Sequence, residues 1–63
     1  MGLKLKIKRI EKGLKQYELA KNVGISSQYL RLLEKGQANN PSRELMSNIA
    51  KELDSTVDEL FFS

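Results

Sequence analysis

The sequence contains no cysteine and no histidine. The first absence excludes a disulfide framework and a thiolate metal site. The second removes the usual general base and the commonest neutral metal ligand. No apolar run approaches the ~18 residues of a membrane span. The N-terminal stretch alternates lysines with apolar residues and lacks the unbroken apolar segment of a secretory signal. There is no glycine-rich phosphate loop and no cluster of carboxylates to serve a cavity, so an enzyme is disfavoured. The expectation is a cytoplasmic protein with no metal, no cofactor and no membrane partner. Its 63 residues read as a single domain over 1–63. That is near the small end of what folds alone, and it calls for compact helix packing and often for oligomerisation.

What is present is charge, unevenly placed. The net charge is only +3. Yet Lys4, Lys6, Lys8, Arg9, Lys12 and Lys15 face Glu11 alone in residues 1–15, whereas residues 40–63 hold Arg43 and Lys51 against Glu44, Glu52, Asp54, Asp58 and Glu59. A chain basic early and acidic late suits a domain with one side toward a polyanion and a C-terminal helix turned away from it. For the first few lysines, a merely solubilising role fits equally well.

The organising stretch runs from Leu14 to Gly36. Gln16 to Val23 carries Leu19, Ala20 and Val23 at helical spacing. Gly24 follows where a helix ending in a left-handed residue favours glycine. Ile25 is placed to plug the corner, and Ser26 reads as the N-cap of a second helix. Leu30 and Leu33 mark that helix's inner face, and Gly36 closes it. Two helices meeting at about 90–120° need a small residue at their contact and a glycine in the turn. Ala20 and Gly24 supply these. Ser27, Gln28, Tyr29, Arg31, Leu32 and Lys35 are left facing outward, as on a helix that enters a DNA major groove. An ordinary helical hairpin with a solvated face has the same spacing.

These residues, with Arg9 and Gly13 before them and Asn40-Pro41-Ser42, Ile49-Ala50-Lys51 and Val57-Asp58-Glu59-Leu60 after them, resemble the phage repressor and Cro type of helix-turn-helix, the XRE family. The resemblance covers nearly the whole chain. It implies an all-α fold, a compact five-helix bundle of the lambda repressor-like kind. It also implies sequence-specific binding of double-stranded DNA by a transcriptional regulator, a repressor by preference, with helix 3 (about 27–35) in the major groove. The alternative is a protein-interaction module, an antitoxin or adaptor, on the same fold.

Taken in order, Met1–Lys12 is ambiguous on pattern: Leu3 to Lys8 alternates with period two, a strand signal, but Leu3, Ile7 and Ile10 also fit helical spacing, as do Leu5 and Arg9. A lone strand cannot satisfy its backbone. The stretch is therefore read as helix 1, ending at Gly13. The resemblance implies that Arg9 pairs with Glu34 and so fixes the recognition helix to the scaffold. Lys15 stands where relatives often carry a capping residue. A lysine cannot accept the cap hydrogen bond, a loss of about 1 kcal/mol, unless Lys15 is repaid by a DNA phosphate. Gln16, at the start of helix 2, lies where free backbone N–H groups also favour a phosphate.

By the family's docking, Ser27 and Gln28 are nearest the base edges, and Gln28 suits adenine. Tyr29 is a candidate for the backbone or a thymine methyl. Leu32 either packs on thymine methyls or is half-buried and silent. Arg31, Asn39, Asn40, Ser42 and Arg43 are assigned to the sugar-phosphate backbone. Ser42 also reads as the N-cap of helix 4, about Arg43–Leu53, whose Leu45, Met46, Ile49, Ala50 and Leu53 form a core stripe. Asp54 follows where relatives usually have glycine. Thr56 and Glu59 have the spacing of a capping box for a short helix 5 with Val57 and Leu60 turned inward.

Phe61 and Phe62 cannot easily both enter so small a core. Leu60, Phe61 and Phe62 are therefore the expected contact of a homodimer on a palindromic operator, with RNA polymerase a further partner.

Overall fold

The computed structural model describes residues 3–38 and 40–62. Its elements are α1 (Leu3–Glu11), α2 (Gln16–Val23), α3 (Ser27–Glu34), α4 (Arg43–Glu52) and a C-terminal π-helical turn, Asp58–Phe62. All regular structure among the described residues is helical. The α2 helix packs on α3 and α4, and α1 packs on α3 and the C-terminal turn.

The alternating start of the chain is a helix. Its apolar residues consequently divide between two sides, because every second residue of a helix turns ~200°. Leu5 and Arg9, one turn apart, face the core and are buried. Leu3, Ile7 and Ile10 face solvent. Helical spacing allowed either line, and packing chose the shorter one.

Each junction has a local cause. Gly24 ends α2 at φ 77°, a left-handed conformation that costs glycine nothing. The Ile25 N–H then donates back to Ala20 O at 2.9 Å, and Ile25 packs against the core. Ser26 Oγ accepts the Tyr29 N–H at 3.0 Å and starts α3. Ser42 Oγ accepts the Leu45 N–H at 3.1 Å and starts α4. Lys15 makes no such side-chain cap. Instead the Glu18 carboxylate accepts the Lys15 backbone N–H at 2.7 Å, a partial substitute that also brings negative charge to the positive end of α2.

Leu5, Leu19, Leu30, Ile49, Leu53 and Leu60 are fully buried, drawn from every helix, from the residue ending α4 and from the C-terminal turn. Each contributes about 1.5–3 kcal/mol of transfer free energy. After α4, Asp54 adopts φ 51°, the left-handed position that glycine would take without strain. Lys12 Nζ donates to Asp54 Oδ2, tying the end of α1 to this turn. That hydrogen bond and the lysine charge hold the Asp54 carboxyl below the ordinary aspartate value.

Thr56 Oγ1 accepts the Glu59 N–H at 3.1 Å and opens the last turn. The Glu59 carboxylate also takes the Ser55 hydroxyl at 2.6 Å and stands 3.8 Å from Lys8 Nζ. The turn winds as a π-helix rather than the α-helix expected. Its wider winding sets successive side chains at a smaller angular step, so both Leu60 and Phe61 turn inward. Phe61 thus completes the core, and Phe62 is left outside, 65% exposed. Of the three expected dimer residues, Leu60 and Phe61 are spent within the chain, and only Phe62 has a surface to offer.

Candidate nucleic-acid interface

The α3 helix has two unlike sides. Leu30, Leu33 and Glu34 are buried against the scaffold. Ser27, Gln28, Arg31, Leu32 and Lys35 are exposed, and helical geometry puts Gln28, Leu32 and Lys35 on one outward line at i, i+4 and i+7. Tyr29 is half-buried and packs against the core at the flank, so less of its ring is available than the sequence suggested.

Behind this face is a buried polar cluster. Arg9 Nε donates to Glu34 Oε2 at 2.6 Å and Nη2 donates to Glu34 Oε1 at 3.3 Å, a two-nitrogen grip on one carboxylate. Arg9 Nη1 donates to Leu14 O at 2.8 Å. Gln16 Nε2 donates to Glu34 Oε1 at 3.0 Å. The cluster joins α1, the turn after it, the start of α2 and the end of α3. No buried side-chain nitrogen or oxygen among the described residues is left without a partner, the condition under which a buried ionic cluster costs little. For Gln16 this changes the reading. Its side-chain amide is turned inward to Glu34, so what it offers an outside phosphate is chiefly the free backbone N–H at the helix start.

The remaining expected contacts are scattered around α3. Lys15 is exposed at the start of α2, its Nζ 6.0 Å from the Tyr17 ring centre. Asn40 is exposed at φ 34°, and Ser42 and Arg43 are exposed at the start of α4, although the Ser42 oxygen already caps that helix. Asn39 lies outside the described residues. Two residues escaped the sequence reading. Lys6 of α1 lines one depression with Gln16, Arg31 and Lys35, which adds a third cation to that rim. Tyr17, 58% exposed, stands beside Gln16. Lys6 could not be singled out among alternating lysines, because only the packing of α1 on α3 brings it to that rim.

Residues 5–60 match the helix-turn-helix family model. The chain belongs to the helix-turn-helix family. It is similar to SinR, an HTH-type transcriptional regulator of Bacillus subtilis (strain 168), at 33% identity over 60 residues. That match takes in 95% of this chain and 54% of SinR, so the chain spans about half the length of that relative. It is 40% identical over 53 residues to an HTH-type transcriptional regulator of Archaeoglobus fulgidus, covering 84% of this chain and 74% of that protein. Among solved structures it resembles SinR, described as the master regulator for biofilm formation, in complex with DNA. The TM-score is 0.84 at 34% identity, with 94% of each chain covered. In this chain α2 and α3 form the helix-turn-helix, and α3 presents Gln28, Leu32 and Lys35 along one exposed line.

Proposed function

We propose that this helix-turn-helix domain binds double-stranded DNA sequence-specifically and regulates transcription, with α3 in the major groove. The observation that carries the reading is the division of α3. Its inner side is locked to the scaffold through Leu30, Leu33 and the Arg9–Glu34 grip, while Gln28, Arg31, Leu32 and Lys35 face out. A rigidly held helix with a free polar side can reach base edges, and cations at its rim can meet phosphates. The likeness to a SinR structure solved with DNA supports the same reading.

In this reading Ser27, Gln28, Tyr29 and Leu32 read bases. Lys15, Arg31, Asn39, Asn40, Ser42 and Arg43, with the backbone at Gln16, hold the sugar-phosphate chain. The protein acts in the cytoplasm as a repressor, a bound pair of copies excluding RNA polymerase from a promoter. One domain reads too few base pairs to choose among the ~10⁶–10⁹ competing sites of a genome. Two copies therefore pair about a two-fold axis, with half-sites ~34–36 Å apart and Phe62 at the contact. Phe62 borders a groove lined by Met46 and Val57 together with Arg43, Ser47 and Asp58, and its apolar part is where the same ring of a second copy would sit.

Selection of bound sequences from random duplex DNA, followed by a salt titration on the enriched site, tests the proposal. The expected result is a two-fold related motif and an affinity that falls linearly in log–log with salt. A pool that stays random, with no salt-dependent binding, overturns it.

A further inference from the structure

The early lysines divide between two sides of α1. On one side they meet carboxylates of the fold. Lys8 Nζ stands 3.9 Å from Glu11 Oε1 and 3.8 Å from Glu59 Oε1, and Lys12 donates to Asp54. Lys4 lines the same depression as Lys8, Glu11 and Glu59, so positive and negative charge are matched there. Lys6 lies on the other side. Its depression is lined by Leu3, Lys6, Gln16, Arg31, Glu34 and Lys35. Glu34 is the one carboxylate of that lining, and Arg9 and Gln16 already hold it. Among the described residues, Lys6, Arg31 and Lys35 have no carboxylate within ion-pair reach. Three cations from two helices thus converge with their charge unmatched, and such a cleft focuses a positive potential. At about 270 Å³ and open to solvent, it falls below the ~300–1,000 Å³ that encloses a small ligand. It suits one anionic group of a larger molecule.

We propose that this depression seats one backbone phosphate of the bound DNA and that Lys6 contacts it directly, which makes α1 a DNA-binding element beside α2 and α3. The inference rests on the DNA reading and deepens it. The phosphate lies beside the outward line of Gln28, Leu32 and Lys35, at the edge of the groove that α3 enters. Arg31 and Lys35 reach it from α3, and the free backbone N–H of Gln16 reaches it from the start of α2. Lys6 closes the third side, from α1. A phosphate contact of this kind fixes where the domain sits on the duplex and carries no base preference of its own. Lys4, Lys8 and Lys12 take no part, because their side of α1 is turned to the fold's own carboxylates. Of the early lysines, Lys6 is the one that the packing of α1 on α3 assigns to DNA.

Lys6→Ala and Lys8→Ala each remove one positive charge from α1, and comparing them separates a contact from overall charge. Both variants, Lys6→Arg and the parent chain are titrated with the duplex enriched by site selection and with random duplex, across a range of salt. Circular dichroism checks that each variant is folded. Lys6→Ala should weaken both duplexes by the same factor and leave the base preference unchanged. Its slope of log K against log salt should be shallower by about 0.9, so its deficit grows about eightfold for each tenfold dilution of salt. Lys6→Arg and Lys8→Ala should keep the parent's slope. A second readout locates the phosphate. Methylphosphonates placed singly along the enriched duplex remove one charge at a time. One such position should weaken the parent and leave Lys6→Ala unaffected, the non-additivity of two groups in contact. A Lys6→Ala slope equal to that of the parent or of Lys8→Ala overturns the inference and leaves the DNA reading standing. So do losses from Lys6→Ala that add to those of every methylphosphonate, since Lys6 then acts only through net charge. A parent chain that binds neither duplex overturns both.

Discussion

Arg9 and Glu34 lie 25 residues apart in sequence and are joined by two hydrogen bonds, from Nε at 2.6 Å and Nη2 at 3.3 Å, with both side chains largely withdrawn from water. Glu34 is the last residue of α3, and Gln16 donates to the same carboxylate. The orientation of α3 is therefore set at its C-terminal end by a charge that cannot be left alone. Arg9→Ala is expected to cost about 3–5 kcal/mol of folding stability, since it strands a buried carboxylate. Thermal unfolding of Arg9→Ala, Glu34→Ala and the double variant gives the coupling. If the two single losses simply add, the residues do not act as a pair.

Gln28 has its amide on the outward line of α3, with no scaffold role to confuse the outcome. Gln28→Ala should weaken specific DNA binding by about 1–3 kcal/mol and relax preference at one base pair, with the melting temperature unchanged. An unaltered sequence preference in a repeated site selection would remove Gln28 from the base-reading set.

Lys15 stands where α2 has no side-chain cap, while Glu18 already accepts its N–H. Lys15→Ser would complete a reciprocal cap and should stabilise the domain by about 1 kcal/mol, or roughly 4–8 °C in Tm for a domain of this size. The same change removes a proposed phosphate contact, so the slope of log K against log salt should flatten by about one. A Tm that does not rise would show that Glu18 alone satisfies the helix start.

Asp54 gains from Lys12 a carboxyl pKa below its ordinary value. A group whose folded pKa is depressed adds stability above its unfolded pKa and loses it as pH falls through the folded one. Melting temperature should therefore fall on acidification below about pH 4, and less steeply in Asp54→Asn. Asparagine keeps the tolerance for the left-handed backbone and drops the charge. Identical acid limbs for the two proteins would show that the pair is silent.

Phe62→Ala should leave the fold intact, because the ring is outside the core, and should shift sedimentation of the protein toward monomer. Phe61→Ala should instead lower stability by about 3–5 kcal/mol. If both variants sediment as the parent does, the proposed pairing surface is wrong.

Local chemistry made much of this protein legible in its sequence. Gly24, Ser26 and Ser42 act on neighbours within four residues, so their roles as helix ends follow from residue type and spacing. Leu30 and Leu33 follow from helical period, and with them the outward side of α3. Which of two apolar lines on α1 enters the core did not follow, because both satisfy the period and only the shape of the facing helices separates them. Nor did the division between Phe61 and Phe62. Adjacent residues of equal hydrophobicity are told apart only by how the last turn winds on α1. Gln16 turned inward and Lys6 brought to the rim of α3 for the same reason: each answers to a partner on another element. Residue type and order determined the helices, their ends and the side of α3 that stays free. Tertiary packing alone decided which apolar surplus is buried and which is left for another molecule, because burial depends on the distant groups that close over a side chain.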